Sequence, residues 1–296
     1  MMEYKPTRGS ASIYILLIAL LSNLFIAILL KLVDSYLIYC ILMVALVVID
    51  IYYLYYFIID VTLRYTITDN NHLIVNSFWK LKKVDIDLKK VKGYMCTSTN
   101  IHGIKLSGIG NDKFAYGRNI IDKIGTTYMY VSSSKDVLYL KTEDMCYALS
   151  AVGNENIKAA LNELSISEGI EEYVEQANVE LHKDKKFFIP FIIVSVLIVI
   201  MILNPFILYL KDLLPNLMPL TFDTSFMPLT KGTGKQFAFK QMTYGVMNMI
   251  ILFCMYYASY FCAKYDRKTA YRYIYISLLI VSVFLFLQLK ILAAYI

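Results

Sequence analysis

A chain of 296 residues that is 58% hydrophobic and only 18% charged falls below the roughly 25% charged residues of a soluble domain. Its apolar residues come in blocks, which excludes a uniformly soluble globule and leaves room for several membrane spans plus one domain of about 100 residues. The formal net charge of +6 is modest, and much of it borders the apolar blocks, where basic residues are expected; nucleic acid is therefore not an expected partner.

Crossing about 30 Å of hydrocarbon takes roughly 20 apolar residues in a helix. Five stretches qualify: 12–30 and 36–59, an N-terminal hairpin within residues 1–61, then 187–210, 243–263 and 273–292 within residues 187–296. Basic residues near span ends set orientation. Lys5 and Arg8, then Lys183, Lys185 and Lys186, then Lys264, Arg267, Lys268 and Arg272 share one side of a five-span chain. That side is expected to be cytoplasmic, so the N-terminus and residues 61–186 lie inside a bacterial cell membrane and the C-terminus outside. Segment 211–242 carries Lys211, Lys231, Lys235 and Lys240 against this rule, and is still read as an extracytoplasmic loop. Tyr52, Tyr53, Tyr55 and Tyr56 suit an aromatic belt at the cytoplasmic end of the second span.

From Thr62 the blocks give way to alternation. Leu63, Tyr65 and Ile67 alternate with polar residues, and Asp69, Asn70 and Asn71 supply a turn before 72–76. Further strands are predicted at 79–84, 91–97, 104–107, 113–118, 127–132, 137–141 and 146–149, with Gly103, Gly108, Gly110, Gly117 and Gly125 among the turn residues. Seven or more short strands at this spacing suggest a small barrel or sandwich. A helix over 155–164 then sets Ile157, Ala160, Leu161 and Leu164 on one face.

The strings Tyr65-Thr-Ile-Thr-Asp69, Phe114-Ala-Tyr-Gly-Arg118, Ile124-Gly-Thr-Thr-Tyr-Met-Tyr-Val131 and Val137-Leu-Tyr-Leu-Lys-Thr-Glu143, with Tyr147-Ala-Leu-Ser150 and the helix after it, resemble the bacterial pleckstrin-homology-like (PH-like) domain. The resemblance covers residues 62–165. It implies a barrel of about seven strands capped by a C-terminal helix, and no catalytic residues.

Residues 166–186 read as an amphipathic connector helix, with Ile170, Tyr173, Val174, Ala177 and Leu181 on one stripe, running on into the third span. In 211–242, Pro215, Pro219 and Pro228 forbid a continuous helix. The string Leu214-Pro-Asn-Leu-Met-Pro-Leu-Thr-Phe-Asp223, then Pro228 and Gly232-Thr-Gly-Lys235, resembles a loop in a membrane domain of unknown function found in bacterial peptide-toxin immunity proteins. Thr221 replaces the usual His of that loop and Phe226 the usual Gly, which puts in doubt any role tied to the His. The resemblance spans about residues 190–292 and implies a site at Pro219, Phe222, Asp223, Pro228 and Lys235.

Asp50 lies well inside the second span, where a charge costs at least about 2.5 kcal/mol. It is read as a structural hydrogen-bonding group, a functional relay, or a mark that the span boundary is shifted. Asn23 and Asn248 are polar residues of the type that join helices. Lys80, Lys82, Lys83, Lys89, Lys90 and Lys92 form a basic run that would suit anionic lipid, although Asp85 and Asp87 interrupt it. His72, His102 and His182 are scattered, Gly108-Ile-Gly110 lacks the rest of a dinucleotide fingerprint, and the five cysteines show no CxxC spacing. No cofactor, metal or catalytic residue is expected. The reading is a non-enzymatic α plus β membrane protein of Gram-positive type, whose expected partners are the lipid bilayer and a protein or peptide. Its most specific form is immunity to, or sensing of, membrane-active peptides. A small transporter or channel using Asp50 is the alternative.

Overall fold

Six α-helices occur among the described residues of the computed structural model, which describes residues 2–68, 70–143, 145–170 and 181–296. They are α1 (Ala11–Leu32), α2 (Tyr36–Thr62), α3 (Asn154–Glu163), α4 (Lys185–Leu210), α5 (Gly234–Ala263) and α6 (Arg267–Tyr295). All but α3 are long and apolar enough to cross a membrane. They expose large side chains such as Leu20, Phe25, Ile51 and Phe286, as lipid-facing helices do and soluble ones rarely do. Each span exceeds its predicted length. At α5 the whole excess lies at the start, nine residues before 243, because Thr233 and Gln236 form a reciprocal capping box there.

The chain divides into two compact units: residues up to Ser22 with Ile49–Glu175, and Asn23–Val48 with Gln176–Ile296. In the first, a four-stranded sheet has the order β1 (Met2–Tyr4), β2 (Arg64–Thr68), β3 (His72–Ser77), β4 (Lys82–Asp87). The second sheet is built from β5 (Val91–Thr97), β6 (Gly103–Gly110), β7 (Ala115–Ile121), β8 (Gly125–Val131), β9 (Val137–Thr142) and β10 (Cys146–Leu149), in the order β5-β9-β10-β8-β7-β6. All pairings are antiparallel except β10 with β8. Among the described residues the hydrogen-bonded strands form these two open sheets; no ladder closes them into a ring.

Tyr65, Leu73, Val75, Ile86, Tyr94, Tyr116, Tyr130, Leu138 and Leu149 share one core with Ile157 and Leu161 of α3. Burying each such side chain contributes about 1.5–3 kcal/mol. Met129, Val131, Val137, Tyr139 and Ala148 are buried in a second cluster, so successive residues of β8 and β9 are both covered and these strands read as near-continuous apolar runs. Gly108 and Gly117 face each other across β6 and β7 at φ +103° and +114°, and a Cβ on Gly108 would stand 1.9 Å from the Tyr116 carbonyl oxygen. Only glycine fits there.

Three predicted elements differ. The strand expected at 79–84 starts at Lys82, because Phe78, Trp79 and Lys80 all take positive φ and form the β3–β4 turn. The N-terminus, assigned to the hairpin of residues 1–61, is part of the β unit: β1 pairs with β2, and Thr7 N–H and Lys5 C=O bond to Ser150 and Val152. The connector helix does not begin at 166: Glu168 bridges to Tyr94 in extended conformation and Gly169 N–H bonds to the Tyr94 carbonyl at 2.8 Å. It does not run unbroken into the third span either. A 3₁₀ turn over Leu181–Lys183 is followed by Asp184, whose extended backbone and side chain cap α4. Tyr173, Val174 and Ala177 lie outside the described residues.

In the second unit α4, α5 and α6 pack together. The segment read as a loop holds a hairpin, β11 (Met218–Phe222) with β12 (Pro228–Gly232). Pro219 and Pro228 sit in its strands, where a short two-stranded ladder spares the missing N–H.

Candidate functional site

Two places gather polar and aromatic side chains. The first lies in the β unit at the end of α2. The Asp60 carboxylate accepts hydrogen bonds from the Ser12 hydroxyl of α1 and the Tyr116 phenol of β7. Close by, Tyr65 donates to the Tyr130 carbonyl at 2.6 Å, and Ser132 donates to the Thr7 carbonyl at 2.6 Å. Burial, then the negative charge of Asp60, hold the Tyr116 phenol well above its ordinary pKa, and burial does the same for Tyr65. Both phenols are therefore neutral donors. The group is fully satisfied, and it ties both helices of the N-terminal hairpin to the sheet. Sequence reasoning missed Asp60 because it stands one residue beyond the predicted span; the pairing of a Ser and an Asp at the same end of two consecutive spans was the available signal.

The tyrosines expected to form a lipid belt also belong to this junction. Tyr52 donates to the Gly108 carbonyl at 2.6 Å, Tyr53 lies 3.4 Å from the Ser22 hydroxyl, and Tyr56 is buried in the core. Tyr55 accepts from Lys82 Nζ at 2.5 Å and packs on Phe78, ring centroids 5.2 Å apart.

The six lysines of the basic run do not share one face. Lys80, Lys82 and Lys83 sit at the β3–β4 turn, whereas Lys89 and Lys90 lie in a 3₁₀ turn beyond the other end of β4, about 17–20 Å away along a strand of that length. Lys92, on β5, pairs with Glu143 at 3.4 Å. His72 pairs with Asp85 at 2.7 Å across the hairpin.

The second place is in the helical unit, under the β11–β12 hairpin. A cavity of about 50 Å³ is lined by Tyr36, Phe222, Phe226, Gln241, Tyr244 and Gln288, among others. That volume accepts a few waters or one small polar group. Phe222 and Phe226 stack at 4.5 Å, and Tyr36 lies 4.8 Å from Phe226. The Lys290 ammonium stands 4.0 Å from the Phe226 ring centre and donates to the Tyr36 hydroxyl at 2.9 Å. Gln288 is 1% exposed; its Nε2 donates to the Met201 carbonyl at 2.8 Å, while its buried Oε1 has no hydrogen-bond partner among the described residues. An orphaned buried amide oxygen costs about 1–3 kcal/mol, which an N–H or O–H donor would recover.

Of the five loop residues expected to form a site, Phe222 lines this cavity, together with Thr221 and Phe226, the two positions that depart from the family's loop. Asp223 closes the hairpin turn by accepting from the Ser225 and Met227 backbone N–H groups at 2.9 and 2.7 Å. Pro219 is buried in β11, Pro228 is half-buried in β12, and Lys235 is exposed in the first turn of α5. Of the intramembrane polar residues, Asn248 is buried and donates to the Tyr244 carbonyl one turn back in its own helix at 2.9 Å. Asn23 and Asp50 are half-buried on α1 and α2. No cluster of His, Cys, Asp or Glu suited to a metal occurs among the described residues.

Comparison with known proteins gives two matches. A family model described as a bacterial PH domain matches residues 63–165. Over 296 residues, 100% of both chains, the sequence is 37% identical to an uncharacterised protein of Clostridium acetobutylicum. No solved structure matches the chain.

Proposed function

The chain belongs to the family of the full-length clostridial protein and contains a bacterial PH domain over residues 63–165; we propose that it is a non-enzymatic membrane protein of Gram-positive type that binds membrane-active peptides. In this reading the N-terminus and the PH-like domain are cytoplasmic and the β11–β12 hairpin is outside. The clusters Lys5 and Arg8, Lys183 to Lys186, and Lys264 to Arg272 support that orientation. The two sheets around one core closed by α3 support a PH-like roll. Resemblance of residues 190–292 to the membrane domain of peptide-toxin immunity proteins supports the peptide as ligand.

The observation that carries the reading is the cavity under the hairpin. Its aromatic walls and small volume suit a single methyl-sized or amide group, and the Gln288 oxygen, unpartnered among the described residues, suits a backbone or side-chain N–H donor. An amphipathic peptide end offers both. The test compares a deletion strain, complemented with wild type or with Gln288→Leu, for growth in a panel of secreted membrane-active peptides. Deletion should sensitise the cells, and Gln288→Leu at wild-type protein level should fail to restore resistance. Unchanged susceptibility across the whole panel would sink the proposal.

A further inference from the structure

The β3–β4 turn has features that the peptide-binding reading does not use. Phe78, Trp79 and Lys80 have φ of 52°, 51° and 74°, and three consecutive left-handed residues without a glycine cost of order 1–3 kcal/mol each. The turn is held in this shape by α2. Phe78 N–H donates to the Thr62 hydroxyl at 2.8 Å, Phe78 packs on Tyr55, and Lys82 Nζ reaches the Tyr55 hydroxyl at 2.5 Å. Tyr55 lies seven residues back from Thr62 along α2, about 10 Å deeper into the span at 1.5 Å per residue.

Strand direction agrees. β2 leaves α2 at Arg64, β3 returns antiparallel to it with Asn76 opposite Arg64, and the turn then continues past Arg64 toward the membrane-spanning part of α2. Strained turn and helix thus aim one group of side chains at the bilayer surface. Phe78 faces the helix, but Trp79 and Leu81 are 73% and 87% exposed. An indole and a leucine left open in a soluble turn have no stabilising role there, whereas an indole is at home at the headgroup level. Lys80 and Lys83 are exposed beside them. Arg64 lines the same open groove as Trp79, Lys80 and the end of α2.

We propose that the Phe78–Leu81 turn is an interfacial membrane anchor. Trp79 and Leu81 enter the leaflet from which α2 emerges at Thr62, and Lys80 and Lys83 engage anionic phospholipid headgroups. The occupant follows from continuity with α2, because the bilayer that surrounds the span is the surface the turn faces. Lys89 and Lys90, at the far end of β4, take no part. The inference depends on α2 being a span and not on any peptide ligand.

Trp79 is the single tryptophan of the chain, so fluorescence excited beyond the tyrosine absorption band reads this turn alone. Full-length protein is reconstituted in vesicles of phosphatidylcholine, with or without phosphatidylglycerol, containing acyl-brominated lipid; iodide is present on both sides in a parallel set. Emission should be blue-shifted, lose most of its intensity to bromine, and be shielded from iodide. Each lysine near an anionic surface strengthens attraction about fivefold, so Lys80→Glu with Lys83→Glu should reduce bromine quenching in the anionic vesicles. Leu81→Asp changes a side chain that touches almost nothing, and should reduce quenching without lowering the unfolding temperature. A Trp79 that iodide reaches and bromine does not would overturn the anchor. So would a protein partner that shields Trp79 from iodide while bromine quenching is absent.

Discussion

Replacing Asp60 tests whether the junction at the end of α2 stabilises the β unit. Tyr116 is 1% exposed, and its phenol donates to Asp60. Taking the carboxylate away leaves a buried hydroxyl with no acceptor, which costs about 1–3 kcal/mol, and a hydrogen bond to a charged group contributes about 1.5–3 kcal/mol. Ser12, the other donor, is half-buried and can turn to water. Asp60→Ala should therefore destabilise by about 2 kcal/mol, nearly all of it through Tyr116. Tyr116→Phe removes the donor and should cost about 1.5 kcal/mol, since Asp60 keeps Ser12 and some solvent. In the double variant the orphan no longer exists, so the loss should fall to that of Tyr116→Phe, about 1.5 kcal/mol, a coupling of about 2 kcal/mol. The assay is denaturant unfolding of the full chain in mild detergent, followed by Trp79 emission at neutral pH. If the two single losses add to within about 0.5 kcal/mol, the residues are independent and the reasoning fails.

The buried phenols predict an alkaline limit. Burial raises Tyr116 and Tyr65 above the ordinary value of about 10, so their contribution is fully present below about pH 10 and declines as the pH climbs toward the folded values; stability should be flat from neutral to pH 10 and then fall, less steeply in Tyr116→Phe. In the helical unit, a Cβ on Gly245 would stand 2.2 Å from Ile202 Cγ1. Gly245→Ala should cost about 1–3 kcal/mol by prising α4 from α5, and adding Ile202→Ala, which removes the clashing carbon, should restore much of the thermal-shift midpoint; no rescue would mean that this contact does not set the helix spacing.

Legibility in the sequence followed how local the cause was. Five spans could be read because twenty apolar residues in a row have few alternatives, and β10 and β5 were bounded at the right residues because turn-forming neighbours flank them. The β3–β4 turn was misread because Phe78, Trp79 and Leu81 favour strands, and no Gly, Asn or Pro marks the reversal. What turns the chain there is contact with Tyr55 and Thr62, which no local pattern contains. The early start of α5 could have been read: Thr233 followed by Gln236 is a capping-box signature. The cavity was half legible, since Phe222 was singled out, but Gln288 lies 66 residues later in a span where a glutamine looks like one more helix-joining amide.

Gln288 and Asp60 illustrate why one buried polar residue reads as structure and another as a binding group. Asp60 has a donor on each oxygen, so removing it can only lose stability. Gln288 has a donor in use and an acceptor idle. Gln288→Leu gives up one hydrogen bond, about 1 kcal/mol, and also relieves an orphaned carbonyl of about the same magnitude or more. Its unfolding midpoint should therefore stay level or rise, even as resistance is lost. A residue whose replacement leaves the fold intact while abolishing the phenotype is retained for a ligand. If Gln288→Leu instead unfolds the bundle, the idle oxygen is satisfied by something structural and the cavity loses its claim to be a receptor.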